Sequence, residues 1–189
     1  VNPKSCVKIK PEEVNEARVK HFGATRNVLA LCPMSAADPK DFTYYWELRQ
    51  ALEKQGWSVR YVGHKPWFDA LAHEQPIQTD SNRELLALLG AADCVVTVDS
   101  ACLHGAAIMK VPTVGIFNIN DGKTYCKYYP TVTPVQTCDH PCIMSKTHGC
   151  QWEHLGRHTC YPPESVERIA AAVAGLVRPK VAKQRRRAK

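Results

Sequence analysis

Two segments of the chain combine residue types that could bind an anion, and the first is PMSAADPKD over residues 33–41. It places Ser35 and Lys40 directly after the apolar run NVLALC. A serine hydroxyl can donate a hydrogen bond, and a lysine ammonium is a compact charge suited to phosphate. The same pattern is equally typical of a solvated loop lysine, so the interpretation depends on what lies beside it.

The second candidate anion site is DSACLHGAA over residues 99–107, which follows the apolar run CVVTV without an intervening loop. A strand that turns directly into a helix leaves the first helical amides without intrahelical partners and with partial positive charge. Such a turn can bind an anion, and Asp99 or Ser100 can equally serve as a simple helix cap. The candidate residues here are Asp99, Ser100, Ala101, Cys102 and His104.

Alternating strands and helices must position these segments. Short, continuous apolar runs are typical of strands buried on both faces, and the longer segments between them have helical spacing. The spacing also predicts that Trp46, Leu48 and Leu52 point inward, and that Ser81 and Glu84 form a capping box. The predicted strands are 27–32, 58–62, 94–98 and 113–117, and the predicted helices are 11–20, 43–55, 100–109, 164–176 and one that starts at Ser81.

This order predicts an α/β fold with a Rossmann-like, doubly wound parallel sheet. In such a sheet ligands bind beyond the carboxyl ends of the strands. Both candidate segments lie at that edge, which makes them candidates for a ligand site. His64 follows the strand 58–62 at the same edge, where it either lines a nucleoside pocket or is a surface histidine.

A cysteine cluster lies within the segment 118–162, which is predicted to be loop-rich and which is dense in Cys, His, Gly and Pro. Four thiolates, or a mixture with neighbouring histidines, could bind a structural zinc ion. The spacing lacks the close C-x2-C pair of common zinc sites, so free thiols or a disulfide remain alternatives. The cluster consists of Cys138, Cys142, Cys150 and Cys160.

The net charge of +7 comes from the carboxy-terminal residues 178–189, which hold seven basic residues and no acidic one. The remaining residues 1–177, predicted to form a single domain, are formally neutral, which argues against nucleic acid as a partner. We expect the tail to be disordered, and either simply solvated or in contact with an anionic membrane surface. No apolar run is long enough for a membrane-spanning helix. The start without Met or an apolar leader favours a fragment or a processed chain.

The segment ADCVVTVDSACLHGAAIMKVPTVGIF resembles the donor-site segment of glycosyltransferase family 9, the ADP-heptose:lipopolysaccharide heptosyltransferases. The resemblance extends over residues 30–177, which would correspond to the carboxy-terminal half of such an enzyme. Two departures stand out: Ala101 replaces a glycine, and residues 118–121 read NIND where the family has Gly-Pro-Thr-Asp. The matching residues are Ala92, Asp93, Asp99, Ser100, His104, Ala106, Ala107, Pro112 and Phe117.

The resemblance implies the second domain of a GT-B transferase, which binds a nucleotide sugar such as ADP-heptose. By position, Lys40 with Ser35 would neutralise the donor diphosphate. The amides of residues 100–102 would hold the phosphates, and Asp99 and His104 would shape that turn. It also implies that no metal is required, since lysine and helix amides take its place. No catalytic residue is expected in this half, because the base and the acceptor groove would belong to an amino-terminal domain or partner chain.

The sequence therefore predicts the donor-binding domain of a cytoplasmic glycosyltransferase, acting at the inner face of the membrane on a lipopolysaccharide or other glycan or lipid-linked acceptor. One alternative is a nucleotide-binding module of the same fold that transfers no sugar. The other is a zinc-supported nucleic-acid-binding protein that uses the cysteine cluster and the basic tail, and the neutral body argues against it.

Overall fold

The computed structural model describes residues 7–36, 40–63, 75–138 and 161–176. The strands are β1 (Val28–Cys32), β2 (Ser58–Tyr61), β3 (Cys94–Val98), β4 (Thr113–Phe117) and β5 (Val132–Gln136). The helices are α1 (Pro11–Phe22), α2 (Tyr45–Lys54), α3 (Asn82–Ala91), α4 (Ala101–Ile108), α5 (Gly122–Tyr125) and α6 (Ser165–Leu176).

The five strands form one parallel sheet in the order β2-β1-β3-β4-β5. The order runs outward in both directions from the neighbours β1 and β3, so the carboxyl ends of these two strands define the topological switch point. This arrangement confirms the predicted Rossmann-like α/β fold.

Helices cover both faces of the sheet. Alternate residues of β1 point to opposite sides, so Leu31 packs in the core shared with α2 and α6, whereas Ala30 packs in the core shared with α1, α3 and α4. Both residues are fully buried. Because both faces are covered, the strands read as continuous apolar runs rather than as alternating ones. Among the described residues, no helix has both the length and the apolar character needed to cross a bilayer.

One expectation from the sequence is wrong. Trp46 is 42% exposed rather than inward, while Leu48 and Leu52 are buried. Since a helix turns about 100° per residue, Trp46 lies on the opposite side of α2 from Leu48.

Within the predicted loop-rich segment 118–162, the described residues 118–138 contain α5 and the edge strand β5, neither of which is predicted from the sequence. Pro134 lies inside β5, and a proline is tolerated in a sheet chiefly at such an edge.

Gly115, in the middle of β4, lies where α4 packs closely on the sheet. A Cβ atom at Gly115 would lie 2.8 Å from Cε2 of Phe117 and 2.9 Å from Cδ1 of Leu103. We therefore expect Gly115→Ala to lower the free energy of unfolding by about 1–3 kcal/mol, the usual cost of overpacking, as measured by urea denaturation. Gly175→Ala in α6 is the matched control, because its Cβ would meet nothing within 4 Å; an equal loss there would contradict the packing explanation.

Candidate functional site

A cavity of about 450 Å³ opens at the carboxyl ends of β1, β2 and β3, beside the switch point of the sheet. The loop after β1 and the start of α4 contribute the charged residues and two serines, and we call this part of the lining the polar wall. The end of β2, residues 77–79 and α3 contribute three apolar side chains together with Gln78 and Thr79, and we call this part the apolar wall. The lining residues are Met34, Ser35, Ala36, Lys40, Val62, Gly63, Ile77, Gln78, Thr79, Leu85, Asp99, Ser100, Ala101 and Cys102.

Lys40 and Asp99, which the sequence placed in separate candidate segments, form an ion pair in the polar wall. The Lys40 Nζ lies 2.7 Å from Oδ2 of Asp99. The Asp99 side chain is 8% exposed and that of Lys40 is 26% exposed, so the ammonium reaches the cavity while its counter-ion is buried. An ammonium has three hydrogen-bond donors. Among the described residues Asp99 is its only partner, which leaves two donors for a ligand.

The loop that carries Lys40 is held in place by its own contacts. The Ser35 amide donates to Oδ1 of Asp41 at 2.6 Å, and the Tyr161 hydroxyl donates to the carbonyl oxygen of Lys40, also at 2.6 Å. Phe42 is fully buried, and its ring packs edge-on against that of Tyr161 at 5.2 Å. These contacts fix the Lys40 carbonyl and connect residues on both sides of the segment to the core.

The start of α4 confirms the capping interpretation of the sequence, and the anion-binding interpretation stays a prediction. Ser100 is the helix cap, since its hydroxyl accepts the Cys102 amide at 3.3 Å. Within the described part of the chain, the amides of Ser100 and Ala101 donate no hydrogen bond, and both residues line the cavity. Ala101 begins α4 without a positive φ. The glycine expected at this position is thus not needed for the backbone conformation.

His104 does not lie among the residues that line the cavity. Its Nδ1 is 2.9 Å from the hydroxyl of Tyr129, and the two rings pack edge-on with centroids 5.7 Å apart. The histidine thereby joins α4 to the segment after α5, one turn away from the cavity. This position suits the expected role of shaping the turn better than direct contact with a ligand.

Two neighbouring thiols belong to the elements that form the polar wall, and Cys102 itself lines the cavity. Cys32 is buried at the end of β1, whereas Cys102 is partly exposed. A hydrogen bond from the Cys32 thiol lowers the pKa of Cys102, and the same hydrogen bond, together with burial, raises the pKa of Cys32. Burial also raises the pKa of Cys94 to about 12 and that of Cys126 to about 11.

We expect these differences to set the order of alkylation by iodoacetamide near pH 8, because the thiolate is the reactive form. Cys102 should react faster than Cys32, Cys94 and Cys126, as followed peptide by peptide with mass spectrometry. Urea-unfolded chain provides the control, in which the four rates should converge. Faster labelling of Cys94 than of Cys102 in the folded chain would contradict the described packing.

Several predicted site residues lie outside the described residues: His64, Cys142, Cys150, Cys160 and the tail 178–189. Cys138 is described and is buried just after β5. Within the described ranges, no group of three or more His, Cys, Asp or Glu side chains could hold a metal ion. The zinc site therefore stays a prediction.

Two residues of the site were missed by sequence reasoning. Asn120 donates from Nδ2 to Oδ2 of Asp99 at 2.6 Å. The sequence does carry a signal for Asn120, because this residue follows β4 at the same carboxyl edge as the other candidates. Residues 118–121 were considered only as a departure from the family pattern. Tyr161, which bonds the Lys40 carbonyl, had no comparable signal, since the two residues are 121 positions apart.

The solved structures that share this fold include two heptosyltransferases and a family 9 glycosyl transferase. The chain superposes on ADP-heptose LPS heptosyltransferase II of E. coli with a TM-score of 0.69 at 15% identity, covering 90% of this chain and 52% of that one. A family 9 glycosyl transferase of Veillonella parvula gives 0.63 at 17% identity, covering 90% and 52%. The dodecameric, iron-containing heptosyltransferase TibC, in complex with ADP-D-β-D-heptose, gives 0.59 at 13% identity, covering 80% and 46%. This chain thus spans about half the length of these proteins.

Comparison with curated protein sequences gives no significant match. The family model described as glycosyltransferase family 9 (heptosyltransferase), in contrast, matches residues 2–155. That range contains β1 to β5, the ion pair of Lys40 with Asp99 and the start of α4. The chain belongs to glycosyltransferase family 9.

Proposed function

We propose that this chain is the donor-binding domain of a glycosyltransferase, and that its cavity binds a nucleoside diphosphate sugar of the ADP-heptose type. The observation that carries the proposal is the Lys40 ammonium, held at 2.7 Å by Asp99 beside two unbonded amides at the start of α4. Family membership supports the class of reaction, and the ADP-D-β-D-heptose bound to TibC supports the class of donor.

The polar wall suits the diphosphate. Lys40 offers two ammonium donors, and the amides of Ser100 and Ala101 add two neutral donors at the positive end of a helix. Asp99 and the start of α4 hold these groups, and donors aimed at the leaving nucleoside diphosphate would stabilise the charge that develops on it during sugar transfer. Stabilisation of that leaving group is the part of the reaction that these residues can perform.

The apolar wall suits the nucleoside. Val62, Ile77 and Leu85 contribute apolar side chains to the lining of the cavity, and Gln78 and Thr79 add polar groups to it. A heteroaromatic base buries apolar faces and presents hydrogen-bonding edges, so a wall with both kinds of group fits it. The cavity volume of about 450 Å³ lies within the usual range for small-molecule ligand pockets.

Transfer requires groups that this site does not present. In our proposal the catalytic base and the acceptor groove belong to an amino-terminal domain or partner chain, and the acceptor is a lipopolysaccharide or another glycan. We place the reaction at the cytoplasmic face of the membrane, with the basic tail 178–189 as a contact to anionic lipid.

Calorimetric titration of the chain with ADP, UDP and GDP tests the donor site. We expect saturable binding of ADP in the micromolar range, unchanged by EDTA because lysine and amides hold the phosphates. ADP should also protect Cys102 from iodoacetamide, since that residue lines the cavity. Absence of binding by every nucleotide would overturn the proposal. Binding without donor hydrolysis or transfer, even when an amino-terminal domain is supplied, would favour a non-catalytic nucleotide-binding module.

A further inference from the structure

Asp99 is a shared acceptor for two donors that arrive from different strands. Its Oδ2 accepts from Nζ of Lys40 at 2.7 Å and from Nδ2 of Asn120 at 2.6 Å. In the sheet order β3 lies between β1 and β4. The ammonium therefore reaches Asp99 from the β1 side of β3, and the Asn120 amide reaches it from the β4 side.

The segment that carries Asn120 is fixed on both flanks. On one side, the amide and hydroxyl of Thr137 donate to the carbonyl of Phe117 at 2.7 Å and 2.9 Å. On the other, the Asp121 side chain caps α5, and Gln136 accepts from the Gly122 amide at 3.0 Å. Asn120 itself is 9% exposed. Its amide is thus a preset donor rather than a mobile surface group.

A neutral donor at this position has a specific electrostatic consequence. A carboxylate only accepts hydrogen bonds, so the NH₂ group of Asn120 must face it. The amide holds one Asp99 oxygen without adding a charge that would oppose a bound anion. Without it, the carboxylate could turn and draw the ammonium away from the cavity. With a carboxylate in its place, the polar wall would carry a second negative charge close to the phosphates.

We propose that Asn120 is a positioning residue of this site, which orients the Lys40 ammonium toward the phosphates of the ligand through its hydrogen bond to Asp99. This inference rests on the proposed function, because it assumes that the cavity binds a nucleoside diphosphate. It assigns a role to the segment 118–121, where this chain departs from the pattern of the family that it resembles.

Two variants of the same size as asparagine test the proposal by titration with ADP. Asn120→Leu removes the donor, and we expect ADP affinity to fall about 3–10-fold. This is less than the full value of a hydrogen bond to a charged group, because Asn120 acts on the ammonium only through Asp99. Asn120→Asp adds a charge and should weaken ADP binding further than Asn120→Leu. Asn82→Leu, at the exposed start of α3, is the control and should leave ADP affinity within twofold of that of the unaltered chain.

A packing role for Asn120 would give a different result, because Asn120→Leu would then retain ADP affinity, whereas Asn120→Asp would weaken ADP binding through its charge alone. Asn120→Ala is measured alongside, so that the loss of the donor can be read even where the aspartate variant does not fold. Unchanged affinity in Asn120→Leu and Asn120→Ala, with the unaltered chain binding ADP, would overturn this inference and leave the proposed function intact. Failure of the unaltered chain to bind ADP would overturn both.

Discussion

Lys40→Ala is expected to weaken ADP binding at least tenfold. Among the described residues that line the cavity, Lys40 is the one cation, and no described residue other than Asp99 bonds its ammonium. Hydrogen bonds to charged groups contribute about 1.5–3 kcal/mol, and about 1.4 kcal/mol corresponds to a tenfold change in the dissociation constant. Calorimetric titration with ADP measures the effect directly.

Lys54→Ala is the matched control for that experiment. Lys54 ends α2, is exposed, and lies outside the cavity, so its loss lowers the net charge equally without touching the site. Both variants should lose the same long-range attraction for an anion, and only Lys40→Ala should lose the direct contact. Equal affinities in the two variants would assign ADP binding to overall charge and remove the case for a built phosphate site.

The strands and the location of the site could be predicted from the sequence, because both follow from the burial of a parallel sheet between two layers of helices. β3 and β4 have the predicted bounds, since a strand covered on both faces is buried along its whole length and reads as a largely apolar run. Once parallel strands are established, their carboxyl ends share one edge, which brings the loops of Lys40 and Asp99 together. The direct bond between these two side chains did not follow, because it depends on the conformation of a nine-residue segment and not on any period.

The features that sequence reasoning missed depend on tertiary contact. β5 carries Pro134 and no regular alternation, and it is a strand only because β4 offers a neighbour along its length. Asn120 matters because it faces Asp99, which no local pattern encodes. Trp46 shows the converse, since the spacing predicts an inward position although its place on α2 faces solvent. Local propensity gives way to packing in each of these cases.

Asp99→Asn is expected to lower the stability of the chain more than most single substitutions. The variant keeps the shape of the side chain and removes its charge, so the Lys40 ammonium loses its counter-ion. The new amide also faces the Asn120 donor with half the accepting capacity of a carboxylate. Breaking a buried ion pair costs about 3–5 kcal/mol. Because Lys40 is 26% exposed and can turn toward water, we expect a loss of about 2–3 kcal/mol in the free energy of unfolding, measured by urea denaturation.

A second substitution separates the ion pair from other effects of Asp99→Asn. The double variant adds Lys40→Met, which removes the ammonium and keeps most of the apolar stem, to Asp99→Asn. We expect its free energy of unfolding to be at least about 1 kcal/mol higher than that of Asp99→Asn alone, because residues in direct contact are coupled. The exposed pair of Glu13 with Arg83 is the control, and Glu13→Gln should change stability clearly less than Asp99→Asn, since water already solvates both charges. Additive losses in the double variant would mean that Asp99 stabilises the fold through Asn120 and the turn into α4, and that its bond to Lys40 serves the ligand alone.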